Sequence, residues 1–196
     1  MKSENILFVD TITKKAGMTI SRGGKLFTAH FGERHQYSRD LIRVFDTVLK
    51  KARLKPANLA GVVVLVGPGS YTSIRIGVSF ANALGFAQNV PVAAKTLFEA
   101  LPHGSKETVL LEAGRGNIFY HKASKEGVWT NADLAKKTGE FVGLELSEET
   151  LAQFSKKPKE ATLDIAAVLS DVKWPKKFAP VAAHYILPPN IMVKKK

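Results

Sequence analysis

One carboxylate lies among hydroxyl residues in a D-T-I-T segment that contains Asp10, Thr11 and Thr13 and follows an apolar run. A carboxylate at the end of a strand can orient water bound to a metal ion, and hydroxyls with nearby backbone amides can hold a phosphate. Lys14 and Lys15 add positive charge to the same turn. The alternative is a polar turn by which a strand leaves the core.

A second candidate is the loop Gly67-Pro68-Gly69-Ser70, which separates an apolar run from a long stretch of helix-forming residues. The amide groups at a helix N-terminus attract anions. The loop is not a Walker A sequence, because no Gly-Lys-Ser/Thr follows it. Gly67, Gly69 and Ser70 therefore form either a structural turn or a loop that faces a nucleotide or a partner. Ser70 or Thr72 is expected to cap the helix.

Other catalytic arrangements are not predicted. The five histidines contain no His-x3-His or His-Glu-x2-His pair, so the sequence predicts no metal site. Without cysteine the chain has no disulfide and no thiolate ligand. Ser70 lies outside any Gly-x-Ser-x-Gly elbow and has no obvious histidine partner, which argues against a hydrolase triad.

The elements that position these segments are read from hydrophobic periodicity. Three strands come first, with a glycine turn between the second and third, and then helices alternate with strands. The predicted strands are 4–11, 16–21, 25–31, 61–66 and 91–95, and the predicted helices are 38–54, 72–88 and 96–101. The order predicts a three-strand meander followed by βα units in an α/β protein with a mixed sheet.

The second half is predicted to be a smaller lobe. Residues 102–105 form the best boundary, which divides the chain into lobes 1–102 and 103–196. A hairpin is predicted over 107–122. Beyond residue 127 only weak elements are visible, with short helices near 147–154 and 162–171.

The chain is strongly basic. Its 196 residues carry a formal net charge of +12. Such a field attracts RNA, nucleotides or an acidic partner, although a basic surface can also serve solubility alone. No apolar run approaches the roughly 20 residues that cross a bilayer, and no signal-peptide pattern begins the sequence, so a cytoplasmic protein with no membrane contact is expected.

The segment G-P-G-S-Y-T-S-I-R-I-G, residues 67–77, resembles the signature loop and helix of the bacterial TsaB (YeaZ) family. The resemblance extends in order across most of the chain. It implies the actin-like/Hsp70-type ATPase (ASKHA) fold with two lobes, and a function in making threonylcarbamoyladenosine on transfer RNA.

The resemblance also implies a role. The chain would be a non-catalytic scaffold subunit that pairs with the metal-bearing paralogue TsaD, with an ATPase subunit, TsaE, and with tRNA through the complex. A homodimer is the other expected assembly. Because members are degenerate at the nucleotide site, the resemblance implies no cofactor of its own, with weak ATP or ADP binding at a shared interface left open. Asp10, Thr11, Thr13, Gly67, Gly69 and Ser70 would then be vestigial phosphate loops.

The two long helices are the expected partner surface, because TsaB-like proteins use them for contacts and because glycines inside a helix suggest close approach of another backbone. Core packing is the alternative for any one residue. An obligate contact would bury on the order of 2,000 Å². The predicted interface residues are Leu41, Val44, Phe45, Val48, Ile74, Arg75, Val78, Ala81, Asn82 and Gly85.

Two other function classes remain open from the residues. One is a small-molecule kinase or ATPase of the same fold, which ATP turnover dependent on Asp10 would favour. The other is a free-standing basic RNA-binding module, which tight and salt-sensitive tRNA binding by the chain alone would favour.

Overall fold

The first sheet is organised around two apolar strands, β1 (Ile6–Asp10) and β4 (Gly61–Leu65), which are buried along their whole length. The computed structural model describes residues 4–33, 36–114 and 116–187. The two strands run parallel, with Phe8 opposite Val63. Continuous β-branched and aliphatic runs are typical of strands that are covered on both faces.

The meander predicted from the sequence is confirmed. β2 (Gly17–Arg22) and β3 (Lys25–His30) follow β1 as antiparallel neighbours, and β5 (Val92–Lys95) pairs in parallel with β4. The strand order is therefore β3-β2-β1-β4-β5. This order places the carboxyl ends of β1 and β4, and the loops that follow them, at the same end of the sheet.

Two long helices pack on this sheet, α1 (Tyr37–Ala52) and α2 (Tyr71–Gln88). Each ends at a residue in the left-handed conformation, Arg53 and Asn89, whose N–H bonds to the last carbonyls of its helix. α3 (Leu97–Ala100) is short and begins at a capping box. No helix in the described part of the chain is long and apolar enough to cross a bilayer.

The second sheet repeats the strand order of the first. Its strands are β6 (Thr108–Gly114), β7 (Asn117–Lys122), β8 (Lys125–Thr130), β9 (Phe141–Leu144) and β10 (Lys159–Glu160), in the order β10-β9-β6-β7-β8. β6, β7 and β8 form an antiparallel meander, and β9 and β10 add in parallel on the other side of β6. The two halves thus share one topology.

Three short helices complete the second half, α4 (Asn131–Leu134), α5 (Glu148–Leu151) and α6 (Ile165–Ser170). The helices predicted near 147–154 and 162–171 correspond to α5 and α6. The prediction of only weak elements beyond residue 127 is wrong for β8, β9 and β10. β9 and β10 are short, and β8 begins with Lys125, Glu126 and Gly127, which show no apolar alternation. The division at residue 102 falls between the two sheets, and the two-domain description stays a prediction.

Residues 172–187, here called the C-terminal strap, return from the second half to the first sheet. Trp174 covers Gly61, where an added Cβ would lie 2.5 Å from the indole ring. Asn82 on α2 exchanges two 2.9 Å hydrogen bonds with the backbone of Val181. The His184 N–H donates to the Val66 carbonyl at 2.7 Å. The strap therefore ties the end of the described chain to α2 and β4.

Candidate functional site

The Asp10 carboxylate is buried and bound within its own turn. Its Oδ1 accepts hydrogen bonds from the amides of Ile12 at 2.7 Å and Thr13 at 3.0 Å. Its Oδ2 accepts from the Thr13 hydroxyl at 2.5 Å. These three bonds make Asp10 the acceptor that shapes the turn after β1, and the amides that a phosphate would need are already donating.

Thr11 faces α2 and not the cleft. Its hydroxyl donates to the Ser73 carbonyl at 2.7 Å, and the residue is fully buried. A Cβ added at Gly77 would lie 2.5 Å from the Thr11 hydroxyl oxygen. Gly77 is therefore the position that lets α2 approach the end of β1, and Thr11 fastens the two elements together.

A second carboxylate closes the turn from the other half of the chain. Glu145, which follows β9, accepts the Lys14 amide at 2.8 Å and 3.0 Å through its two carboxylate oxygens. The Lys14 ammonium donates back to the Glu145 carbonyl at 3.0 Å. Glu145 has a φ of 54°, a left-handed conformation that costs a non-glycine residue on the order of 1 kcal/mol. With Asp10, it occupies the amides of residues 12, 13 and 14.

The Gly67–Ser70 loop is fixed by the strap. Gly67 has a φ of 133°, and a Cβ there would collide with the His184 carbonyl oxygen. The Gly67 carbonyl accepts the Leu97 amide at 2.6 Å. Ser70 occupies the N-cap position of α2, but its side chain forms no capping bond, so the predicted capping role of Ser70 is wrong. The carbonyl of Ser70, not its hydroxyl, accepts the Ile74 amide at 2.9 Å.

A cleft of about 260 Å³ separates the Gly67–Ser70 loop from the second sheet, and Gly69, Ser70, Lys14, Glu112 and Glu145 lie along it. Its two carboxylates outnumber the single ammonium of Lys14, which disfavours the phosphates of a nucleotide. Glu112 is held in place because it accepts from the Ser147 amide at 3.1 Å. Among the described residues, no group of three or more His, Asp or Glu side chains is placed to hold a metal ion.

Most of the predicted interface residues lie in the chain's own core, which corrects the expectation that their side chains form a partner surface. The buried ones are Val44, Phe45, Val48, Ile74, Val78, Ala81 and Gly85. The apolar stripe of each helix packs on the first sheet, α1 on β2 and β3 and α2 on β4. Gly85 lies against Val92 and Phe178 of the same chain, so the strap and β5 make the close approach that the glycine indicated.

The other three predicted interface residues are partly or fully accessible. Leu41 is half-buried, and Asn82 is bonded to the strap. Arg75 is exposed, lies 4.1 Å from the centre of the Tyr71 ring and donates to the Tyr71 hydroxyl at 2.7 Å. The Tyr185 hydroxyl, followed by Tyr71, raises the pKa of Arg75 above its ordinary value. Tyr71 and Tyr185 stack at 4.3 Å, so Arg75 belongs to a contact between α2 and the strap.

The accessible surface of α1 and α2 is a different set of residues. Ile42 is 60% exposed and Phe86 is 75% exposed, which is unusual for large apolar side chains. Small or polar residues share the exposed side of α2, and the Phe45 and Phe80 rings join the two helices at 5.3 Å. The outer helix face is defined here as Ile42, Asp46, Ser79, Ala83, Phe86 and Ala87.

Comparison with known proteins identifies the family. A family model described as "TsaD: tRNA N6-adenosine threonylcarbamoyltransferase" matches residues 33–170. The chain belongs to this family. Two curated relatives are described as "tRNA threonylcarbamoyladenosine biosynthesis protein TsaB". The Bacillus subtilis protein is 26% identical over 120 residues, covering 58% of this chain and 52% of the relative. The Haemophilus influenzae protein is 23% identical over 137 residues, covering 65% and 57%.

The chain thus spans little more than half the length of these TsaB relatives. A solved Pseudomonas aeruginosa structure, described as an uncharacterized protein with similarity to peptidase YEAZ, superposes with a TM-score of 0.69 at 14% identity over 94% of this chain and 100% of that chain. YeaZ from Pseudomonas aeruginosa superposes with a TM-score of 0.64 at 15% identity, over 80% and 82%. The predicted TsaB (YeaZ) family and the predicted ASKHA-type fold are confirmed.

Sequence reasoning did not predict the contacts of two residues that shape this site, Glu145 and His184. Glu145 lies in a region without clear periodicity, and nothing in its neighbours indicates that it contacts a turn 131 positions earlier. His184 contributes through its backbone, which carries no sequence signal. Gly67 and Gly69 are the signs that other segments approach this loop, since an added Cβ would meet His184 at the first position and Ile12 at the second.

Proposed function

We propose that this TsaB-type chain is a non-catalytic subunit of the machinery that makes threonylcarbamoyladenosine on tRNA. It stabilises and positions a TsaD-like paralogue, and a TsaE-like ATPase joins the assembly. The cytoplasmic location expected from the sequence follows from this function. The observation that carries the proposal is that the turn after β1 has its amide donors occupied by the chain's own carboxylates.

The occupied turn supports a role without nucleotide chemistry. A phosphate group bound there would have to displace Asp10 from two amides and Glu145 from a third. Each displaced bond is an amide bound to a carboxylate, a type worth about 1.5–3 kcal/mol. The same cleft carries Glu112, a further negative charge. The expectation that Asp10, Thr11 and Thr13 are vestigial fits this arrangement, and weak ATP or ADP binding at an interface shared with the paralogue stays a prediction.

The outer helix face supports a role in docking. Ile42 and Phe86 expose large apolar side chains beside small ones, and the small side chains of Ala83 and Ala87 allow another helix to approach. Interface cores are enriched in aromatic residues and depleted in charge. The exposed part of α2 from Ser79 to Ala87 fits this, whereas Arg39 and Arg43 are exposed beside Ile42 on α1 and would lie at the rim of the contact. We therefore assign the paralogue contact to these exposed residues of α1 and α2. A second copy of the chain in a homodimer would compete for the same face.

The experiment is to express the chain in a bacterium depleted of its own TsaB and to measure threonylcarbamoyladenosine in digested tRNA by mass spectrometry. The wild-type chain should restore the modification. Asp10→Asn, which keeps an oxygen acceptor for the turn, should restore it as well, and the purified chain should show no ATP turnover of its own. Loss of the modification in a folded Asp10→Asn variant, together with ATP turnover by the wild type, would instead favour the kinase or ATPase class.

A further inference from the structure

The ends of two elements bring six cations together at one corner of the first half. Lys50, Lys51 and Arg53 lie at the end of α1, and Lys55 follows two residues later. Arg22 and Lys25 face each other at the turn between β2 and β3. All six residues are exposed. They are named here the basic corner: Arg22, Lys25, Lys50, Lys51, Arg53 and Lys55.

Contacts within the chain show that the two elements meet at this corner. The Arg22 guanidinium donates to the Ala52 carbonyl at 2.5 Å and to the Arg53 carbonyl at 3.4 Å. The Lys51 ammonium donates to the Thr28 carbonyl at 2.7 Å. Cations are stabilised at a helix C-terminus, where carbonyls have no intrahelical partner. The positive charges of Arg22 and Lys51 are therefore explained by the hydrogen bonds that they donate within the fold.

The other four cations donate no side-chain hydrogen bond within the part of the chain that the structure describes, although Lys50 and Arg53 also lie at the C-terminal end of α1. In the part of the chain that the structure describes, Lys25, Lys50, Arg53 and Lys55 form no ion pair. Acidic residues are missing from the surrounding sequence, since neither 11–32 nor 47–98 contains Asp or Glu. Asp46 is one helical turn from Lys50 but does not pair with it. Four unneutralised charges therefore project from one corner.

We propose that the basic corner binds the phosphate backbone of RNA. Several unpaired cations spread over a helix end and a hairpin turn suit a chain of phosphates, and each neutralised phosphate contributes by release of its counterion. The identification of the RNA as tRNA rests on the proposed function. Contact with phosphates rests on the charges alone, and backbone contacts of this kind position an RNA without reading its sequence.

The experiment measures binding of a fluorescent, unmodified tRNA transcript to the purified full chain between 50 and 200 mM salt. The test variant is Lys25→Gln/Lys50→Gln, which takes one cation from each element and removes none of the described hydrogen bonds. The control is Lys156→Gln/Lys157→Gln, which lowers the net charge equally but lies in the second half. Loss of two contacts should reduce the slope of log K against log salt by about 1.5, and the control should leave it unchanged.

Three outcomes would overturn the proposal. One is an equal loss in the control, which would mean attraction by net charge. Another is no change in the test variant. The third is a test variant that loses binding to phosphatidylserine vesicles but binds RNA as the wild type does, which would make the corner a membrane contact. If the chain binds RNA through the basic corner but fails to restore the modification in cells, the proposed function is refuted and the RNA-binding proposal is not. If the chain restores the modification but the test variant binds RNA as the wild type does, the proposed function stands and the basic corner is refuted.

Discussion

Replacing the Glu145 side chain removes its carboxylate bond to the Lys14 amide in the turn after β1. The wild-type carboxylate accepts the Lys14 amide through both oxygens, at 2.8 Å and 3.0 Å. The bond from the Lys14 ammonium goes to the Glu145 carbonyl and survives any substitution there. Three variants separate the contributions: Glu145→Ala removes the acceptor, Glu145→Gln makes it neutral, and Glu145→Gly removes the acceptor and the backbone strain together.

The expected sizes follow from these contacts. An amide bound to a carboxylate contributes about 1.5–3 kcal/mol, and the partly exposed position favours the low end, so Glu145→Ala should lower the free energy of unfolding by about 1.5 kcal/mol. A neutral acceptor recovers roughly half of that in Glu145→Gln. Because a φ of 54° is strained for alanine but not for glycine, Glu145→Gly should be about 1 kcal/mol more stable than Glu145→Ala.

Urea unfolding followed by the fluorescence of the two tryptophans measures these differences. For a chain of this length, 1.5 kcal/mol corresponds to a fall in melting temperature of about 3–6 °C. Glu140→Ala is the control, since that exposed carboxylate makes no described side-chain contact. If Glu145→Ala and Glu145→Gly are equally stable and both lie within about 0.3 kcal/mol of wild type, neither the carboxylate bond nor the strain contributes as reasoned here.

Two further predictions concern contacts that hold the halves and the strap together. The Lys95 ammonium donates to Asp171 at 2.9 Å and lowers the pKa of that carboxyl. The stabilisation of the fold by this ion pair is therefore complete above pH about 3.9, the ordinary pKa of Asp, and is lost as the pH falls through the lowered pKa. A carboxyl NMR titration should place Asp171 below the ordinary value in wild type and near it in Lys95→Met; an ordinary value in wild type would contradict this. Asn82→Ala should lower the free energy of unfolding by about 1–3 kcal/mol, because it loses two bonds to Val181, and should speed amide hydrogen exchange at Val181. The control Ser79→Ala, at an exposed residue, should change neither quantity. Unchanged exchange at Val181 in Asn82→Ala would show that Asn82 does not hold the strap.

The first half of the fold could be predicted because its signals are strong. Continuous apolar runs mark β1 and β4, a two-glycine turn marks the hairpin, and helical periodicity marks α1 and α2. In the second half β9 has only four residues and β10 only two, so neither produces a periodicity that stands out. The pairing of β9 with β6 depends on contacts distant in the chain, as does that of β10 with β9, and local patterns do not encode such contacts.

The candidate site shows a different limit of sequence reasoning. Gly77 and Gly85 do mark close approach, as their presence inside α2 suggested, but the approaching groups belong to Thr11, Val92 and Phe178 of the same chain. A helix face that packs inward and one that packs on a partner have the same residue types. The sequence therefore located the close contacts and could not say which molecule makes them. Exposure distinguishes the two, and it points to Ile42 and Phe86.

The most direct test of the central claim is calorimetric titration of the purified chain with a TsaD-like paralogue. The double variant Ile42→Asp/Phe86→Asp places charges on the outer helix face, and Leu26→Asp, at a residue 43% exposed on β3, is the matched control. We expect the double variant to lose at least about thirtyfold in affinity, which corresponds to about 2 kcal/mol, and the control to bind like wild type. Equal affinity for all three proteins would contradict it.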